Sequence, residues 1–410
     1  MVASRYFVSL LVAAAGVAAA CTRVEVAEPS PGVSLGDGGA AGESAGGAGS
    51  VAGDGGDGGD GEYVGAGGEP GTIELGIWPT FAADPSESRD VQAVLASVSA
   101  LSRGSRTLPL AERWDQLSGS TGSPRASTWN RLDAMTQPYR ERGNGVALCI
   151  GIVDREQPAW PFSGTLDGDA AFAAIERTID EVYARYGEQL SHLCFGYELD
   201  RYLASAPTGE RRSLLALLTH AVDYASHHAH RSRKTAIGTA LSLQGLADPE
   251  ADAAELSLGD EVVGVYDVLD DTAALKPPDA VVDEVTAALE ALPGAPGQRR
   301  LLTVFEVGYP SDPAAGASEQ AQKNYYDALF EVLDAKRQDV AFVGAFGLGD
   351  RNAAACQAEA LAFGGTAAEQ ALRALVRCSM GLRAETSYDP PMMSDKLAWT
   401  AVVAAVSRYR

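Results

Sequence analysis

From residue 72 onward, eight short apolar runs alternate with helix-length amphipathic stretches, and this alternation limits the possible folds more than any other feature. The runs are Ile73–Trp78, Thr107–Leu110, Val146–Val153, Leu193–Tyr197, Thr235–Thr239, Val262–Tyr266, Leu301–Phe305 and Val340–Phe346. Between most of them lie amphipathic segments: Asp90–Ser102, Ala170–Tyr186, Thr208–His228, Ala280–Leu292 and Glu319–Ala335. Parallel strands need a long crossover, usually a helix, so eight such units predict an α/β protein of the (β/α)8 TIM-barrel class. The second run is the weakest, because it is short and contains Pro109. A doubly wound open sheet is the competing architecture. It is disfavoured because the first strand-to-helix turn has no glycine-rich phosphate loop.

The first 71 residues have a different character. Residues 1–20 carry Arg5, an apolar run from Tyr6 to Val17, and Ala18, Ala19 and Ala20 just before Cys21. This is the pattern of a signal peptide, with an apolar core too short to span a bilayer. The cysteine after small residues resembles a bacterial lipobox, which implies a lipidated Cys21 as the mature N-terminus. Thr22 in the next position, by the same resemblance, implies outer-membrane sorting, so the expected location is the cell envelope. Residues 21–71 read as a tether, with 18 glycines between Gly32 and Gly71. A segment so poor in apolar residues cannot offset its ordering entropy. Gly55–Asp60 matches one copy of a calcium-binding repeat, but such repeats work as stacked arrays and a single copy reads as linker. The folded domain is therefore expected over 72–410.

A net charge of −23 argues against nucleic-acid binding, which needs a basic face to displace counterions. It also disfavours adhesion to anionic lipid, leaving the Cys21 lipid as the expected membrane contact. Cys356 and Cys378 lie in a polar region of an exported chain and are candidates for a disulfide. Cys149 and Cys194 lie inside apolar runs and read as buried thiols. No cysteine or histidine spacing predicts a metal site. All five histidines fall between His192 and His230, most at the end of a predicted helix, where cations are favourable anyway.

In a barrel the C-terminal strand ends form one face, and catalytic side chains gather there. By that rule the candidates are Trp78, Trp114, Asp154, Glu198, Asp200, Tyr266, Asp267, Glu306, Tyr309 and Phe346. Glu198 and Glu306 are the only glutamates that directly end long apolar runs. A pair of carboxyl groups at such positions is what glycoside hydrolysis requires, one protonated and one ionised. Trp78, Trp114 and Trp160 can stack on sugar rings or serve as packing, whereas Trp129 and Trp399 sit in helix-like stretches and read as packing. Asp154 and Asp200 can orient a hydroxyl or cap a loop.

The region from Ile73 onward resembles clan A glycoside hydrolases acting on β-linked polysaccharides. Phe305–Asp312, FEVGYPSD, is similar to their nucleophile strand, and Phe195–Leu203, FGYELDRYL, to their acid/base strand. The resemblance implies Glu306 as nucleophile, Glu198 as acid/base, no cofactor, a poly- or oligosaccharide substrate, and a chain acting as a monomer. It also marks departures. The family's asparagine before the acid/base is Tyr197 here. The tyrosine that normally bonds the nucleophile is replaced on the sixth strand by either Tyr266 or Asp267. The last-strand aromatic becomes Phe346, and Arg113 is the nearest candidate for the second-strand arginine. These departures leave open a catalytically impaired barrel that binds carbohydrate, and beyond it a purely structural lipoprotein.

Overall fold

In a computed structural model of the chain, the described residues are 72–79 and 107–409, apart from 156, 233, 249–252, 271, 293–299, 352, 363–364 and 389–390. Cys21, the tether and the helix expected over Asp90–Ser102 lie outside them.

The eight expected strands are all present. They are β1 (Glu74–Ile77), β2 (Thr107–Arg113), β3 (Gly145–Asp154), β4 (Leu190–Tyr197), β5 (Ala236–Ser242), β6 (Val262–Val265), β7 (Leu302–Val307) and β8 (Val340–Ala345). Each pairs in parallel with the next, and β8 closes on β1 through Glu74↔Phe342 to Ile77↔Ala345. The result is a closed (β/α)8 barrel, with Gln157–Pro158 added antiparallel to β3. Strands covered on both faces must be apolar throughout, and β5, β6, β7 and β8 are buried at every position. Pro109 has no N–H to give a ladder; β2 pairs with β1 only at Gly76↔Thr107, and Pro109 lies two residues beyond that position, opposite Ala147 of β3.

The outer layer includes α1 (Ala126–Arg140), α2 (Asp169–Tyr186), α3 (Leu199–Ser205), α4 (Thr208–His227), α5 (Ala280–Ala291) and α6 (Glu319–Ala335). After β8 come a helix pair, α7 (Ala353–Ala362) and α8 (Ala367–Cys378), a two-stranded hairpin (Arg383–Tyr388 with Pro391–Asp395), and the closing helix α9 (Leu397–Arg408). A capping box starts α8, with Thr366 and Glu369 bonding each other's backbone N–H. No described helix is long and apolar enough to cross a membrane.

Both cysteine pairs are bridged. Cys356–Cys378 ties α7 to α8, with Cα atoms 5.7 Å apart. Cys149 and Cys194 are also disulfide-bonded, which corrects the expectation of free buried thiols. They are register partners on β3 and β4, with Cα atoms 4.5 Å apart, a neighbour relation that strand hydrophobicity does not encode. Because the Cys356–Cys378 bridge closes a loop of 22 residues, Cys356→Ser should cost about 3 kcal/mol through the freed unfolded chain. Thermal denaturation of the oxidised variant and wild type checks this, and reductant should remove most of the difference.

Candidate active site

The two carboxylates lie at the same end of the barrel but in unlike surroundings. Glu306, near the end of β7, is 3% exposed and accepts on both oxygens: Tyr197 Oη donates to Oε2 and Arg377 Nη1 to Oε1. Glu198 follows β4 directly and is 1% exposed. Its Oε2 has no hydrogen-bond partner, although Arg155 Nε stands 3.6 Å and Arg201 Nε 3.8 Å away. Burial pushes the Glu198 carboxyl up to about 7, against the downward pull of Arg201 and Arg155.

Local backbone geometry sets these directions. Gly196 has φ of +77° and Glu198 φ of +54°, so the chain turns through the left-handed region twice before α3 begins. A side chain at Gly196 would strike Leu199. Three described non-glycine residues adopt positive φ, and two of them are Arg155 and Glu198. Each costs on the order of 1–2 kcal/mol, and such strain concentrates at functional sites.

Arginines join the acids into one network. Arg155 Nη2 lies 3.9 Å from Glu306 Oε1 and its Nη1 3.3 Å from Glu359 Oε1. Arg377 Nε donates to Glu359 Oε1 at 3.0 Å, and Arg351 pairs with the other Glu359 oxygen. Burial raises the Glu359 carboxyl, but Arg377, Arg351 and Arg155 together pull it far below the usual carboxylate range. Arg155 touches both Glu198 and Glu306, so their nearest oxygens are at most about 10 Å apart once the guanidinium's own width is included. That limit admits both the roughly 5 Å spacing of retaining enzymes and the roughly 6.5–9.5 Å spacing of inverting ones.

A cleft of about 380 Å³ opens above Glu306, lined among others by Trp78, Arg113, Asp154, Arg155, Tyr197, Phe346, Arg351, Glu359 and Arg377. Glu198 lies outside this cleft. With Tyr266 and Asp267 it lines a separate space of about 30 Å³, and Arg155 and Arg377 border both spaces. The two guanidiniums therefore stand as a partition between the acids.

The sequence candidates divide accordingly. Trp78, Asp154, Tyr197 and Phe346 line the cleft with Glu306. Phe346 lies under Arg377, with the guanidinium carbon 4.6 Å from the ring centre. Tyr266 gives its backbone N–H to the Glu306 carbonyl at 3.0 Å, but neither the Tyr266 nor the Asp267 side chain donates to the Glu306 carboxylate. The Tyr266 hydroxyl is buried without a partner, while Asp267 accepts from Arg201 at 2.7 Å. Tyr197 supplies the bond to Glu306 instead, one strand-end position before Glu198.

Trp114 is fully buried, donates to Thr178 and stands off the cleft, so it is packing. Asp200 binds the Ser242 backbone and hydroxyl at 2.7 and 2.6 Å, closing the turn after β5. Tyr309 donates to the Lys276 carbonyl and stacks on Tyr325. Trp160 packs edge-on against Tyr202. Arg113 lines the cleft but pairs with Asp115 and Asp154 rather than with Glu306. Of the histidines, His192 is buried against Glu261 and His228 stacks on Tyr183. No group of acids, histidines and cysteines among the described residues is placed to hold a metal.

Arg155, Arg201, Arg351, Glu359 and Arg377 were not sequence candidates. Arg155 and Arg201 carry a usable signal, since each directly follows a candidate aspartate, Asp154 or Asp200, near a strand end.

No protein-family model matches the chain, and no curated protein matches it in sequence. Solved structures do match in shape. A GH5_18 protein from Bifidobacterium longum subsp. infantis superposes with a TM-score of 0.57 at 12% identity, covering 82% of this chain and 79% of that one. A Streptomyces cattleya GH5_18 variant in complex with Manβ1-4GlcNAc gives 0.56 at 17%, covering 82% and 81%. The exo-β-1,4-mannosidase Op5Man5 from Opitutaceae bacterium strain TAV5 gives 0.54 at 13%, covering 82% and 60%. What the chain shares with these structures is the closed (β/α)8 barrel. At such identities the likeness speaks for the architecture and leaves the chemistry to the site itself.

Proposed function

We propose that this barrel is a glycoside hydrolase acting with retention on a β-linked poly- or oligosaccharide, with Glu198 as proton donor and Glu306 as nucleophile. The observation that carries this reading is the contrast between the two acids. Two carboxyl groups at one barrel end, one buried with an unbonded oxygen and one held by two donors, have the division of labour that glycoside cleavage needs. Glu198 gives its proton to the glycosidic oxygen as that bond breaks, and a Glu306 oxygen bonds the anomeric carbon. Water then attacks the glycosyl–Glu306 ester while the Glu198 carboxylate takes its proton. Arg155 must leave the space between the acids for a sugar to enter. Its long contacts to them, 3.6 and 3.9 Å, are weaker tethers than its contact to Glu359.

That same guanidinium favours a second reading, in which the barrel binds carbohydrate without turnover. A 2-deoxy-2-fluoro β-glycoside separates the two. Intact mass and peptide mapping should find a covalent adduct on Glu306. Glycan retention in affinity electrophoresis, with no adduct and no reducing sugar released from β-glucans, galactans or mannans, would establish the binding reading instead.

We further propose that the domain is exported and tethered to the cell envelope through a lipid on Cys21, on the strength of the small residues before that cysteine. Labelling with a palmitate analogue should mark the wild type and not Cys21→Ala, and the variant should leave the membrane fraction. Equal labelling of both would remove the anchor.

A further inference from the structure

The proposed reaction leaves the inner end of the cleft unexplained. Arg155, Arg351 and Arg377 meet there with Glu306 and Glu359. Glu359 receives all three guanidiniums and Glu306 receives two of them. Glu198 lies behind the partition and in the proposed reaction begins protonated, so three cations face two anions at the place where a sugar must lie. In a chain with 55 acidic and 32 basic side chains, this local excess runs against the overall balance. The arginines are also largely desolvated, with side-chain exposures of 12%, 22% and 14%. A neutral sugar offers them no countercharge and leaves Arg155 attracted to the acids. A carboxylate on the sugar offers both a countercharge and a planar partner for the guanidinium fork.

We propose that the cleft takes an anionic saccharide, a β-linked chain bearing uronic acid carboxylates, one of which seats between Arg351 and Arg155. This deepens the hydrolase reading and rests on it for the saccharide class. The incoming carboxylate replaces Glu198 and Glu306 as the partner of Arg155 and draws that side chain out of the space between them. The substrate's own charge thereby opens the site. Among the described residues Glu359 is the sole ion-pair partner of Arg351, whose guanidinium also lies 5.9 Å above the Phe346 ring. The recognition is of contact range. With a net charge of −23 the chain repels polyanions at a distance, and physiological salt screens that repulsion beyond about 8 Å.

The test is calorimetric titration of the full chain with three tetrasaccharides: a β-1,4-linked uronate, the same compound with its carboxyls reduced to alcohols, and a sulfated neutral analogue. The uronate should bind at least 10-fold tighter than its reduced form, and most of that ratio should survive 0.5 M salt, because contact pairs this far buried are only weakly screened. Arg351→Met should collapse the ratio to below 3-fold, and Arg351→Lys should restore it only partly. Matching melting curves for the variants establish that they are folded. Equal affinity for the charged and reduced compounds, no binding of the uronate, or a ratio surviving in Arg351→Met overturns the proposal. Tighter binding of the sulfated analogue overturns the carboxylate assignment. Because the readout is binding, a chain that takes uronate without cleaving it sinks the hydrolase reading and leaves this one standing.

Discussion

Glu306→Gln should lower turnover of a cleaved β-linked substrate by about 10⁴-fold, equivalent to about 5.5 kcal/mol of transition-state stabilisation. The amide keeps the shape of the side chain but cannot form the glycosyl ester. Glu198→Gln should act differently. Loss of a general acid costs about 10²–10⁴-fold where the leaving group needs a proton, and far less for an aryl glycoside whose phenolate departs unaided. The pH profile carries the same distinction. With its carboxyl pushed up to about 7, Glu198 is the competent donor below that value, so activity should fall as pH rises through it. In Glu198→Gln this alkaline limb should flatten.

Stability moves with the same group. A carboxyl raised from its usual 4.5 to about 7 stabilises the fold fully below the lower value, and that contribution is lost by the upper one, at most about 3 kcal/mol. Glu198→Gln should therefore melt higher than wild type at pH 8 and show little advantage at pH 4. Equal losses in both variants on both substrate types, with no change in the alkaline limb, would remove the acid and nucleophile roles together.

How far the sequence reaches is clear from particular residues. The strands were legible because burial on both faces writes an apolar run directly into the chain, and Glu306 was legible because it interrupts such a run near its end. In the sequence Tyr197 stands out only as a departure, and the resemblance places the tyrosine that bonds Glu306 on the sixth strand. Strand alternation cannot foresee its direction, because the left-handed turns at Gly196 and Glu198 and the register shift between Ile150 and Asp154 re-aim the end of β4. Arg377 lies 71 residues from Glu306, on a helix after the last strand, and no periodicity relates the two. The Cys149–Cys194 bridge was hidden for a similar reason, since register between neighbouring strands is set by packing. Ion-pair partners are chosen in three dimensions, and at this site the arginines hold much of the architecture.

Arg377→Met tests that architecture most severely. Arg377 gives Nη1 to Glu306 and Nε to Glu359, and only 14% of its side chain is exposed. Methionine fills comparable space and leaves the buried Glu306 and the partly buried Glu359 carboxylates short of a donor. Breaking a buried pair from one side costs about 3–5 kcal/mol. For a domain of this size that corresponds to a fall in melting temperature of roughly 4–7 °C at pH 7. Glu359 fixes the sign with pH. Its carboxyl is held far below the ordinary value, so its contribution is present above pH 4.5 and lost as pH falls through the depressed value. Without Arg377 that loss begins at higher pH, and below the wild-type value both proteins have lost it. The gap between variant and wild type should therefore be widest near neutrality and close toward pH 2. Arg377→Lys keeps the charge but not the fork that spans two acids, and should recover less than half of the loss. A gap under 1 °C, or one that stays constant from pH 7 to pH 2, would mean that Glu306 and Glu359 are held by Tyr197, Arg155 and Arg351 alone. The partition between the two acids would then rest on Arg155, the one side chain that touches all three carboxylates.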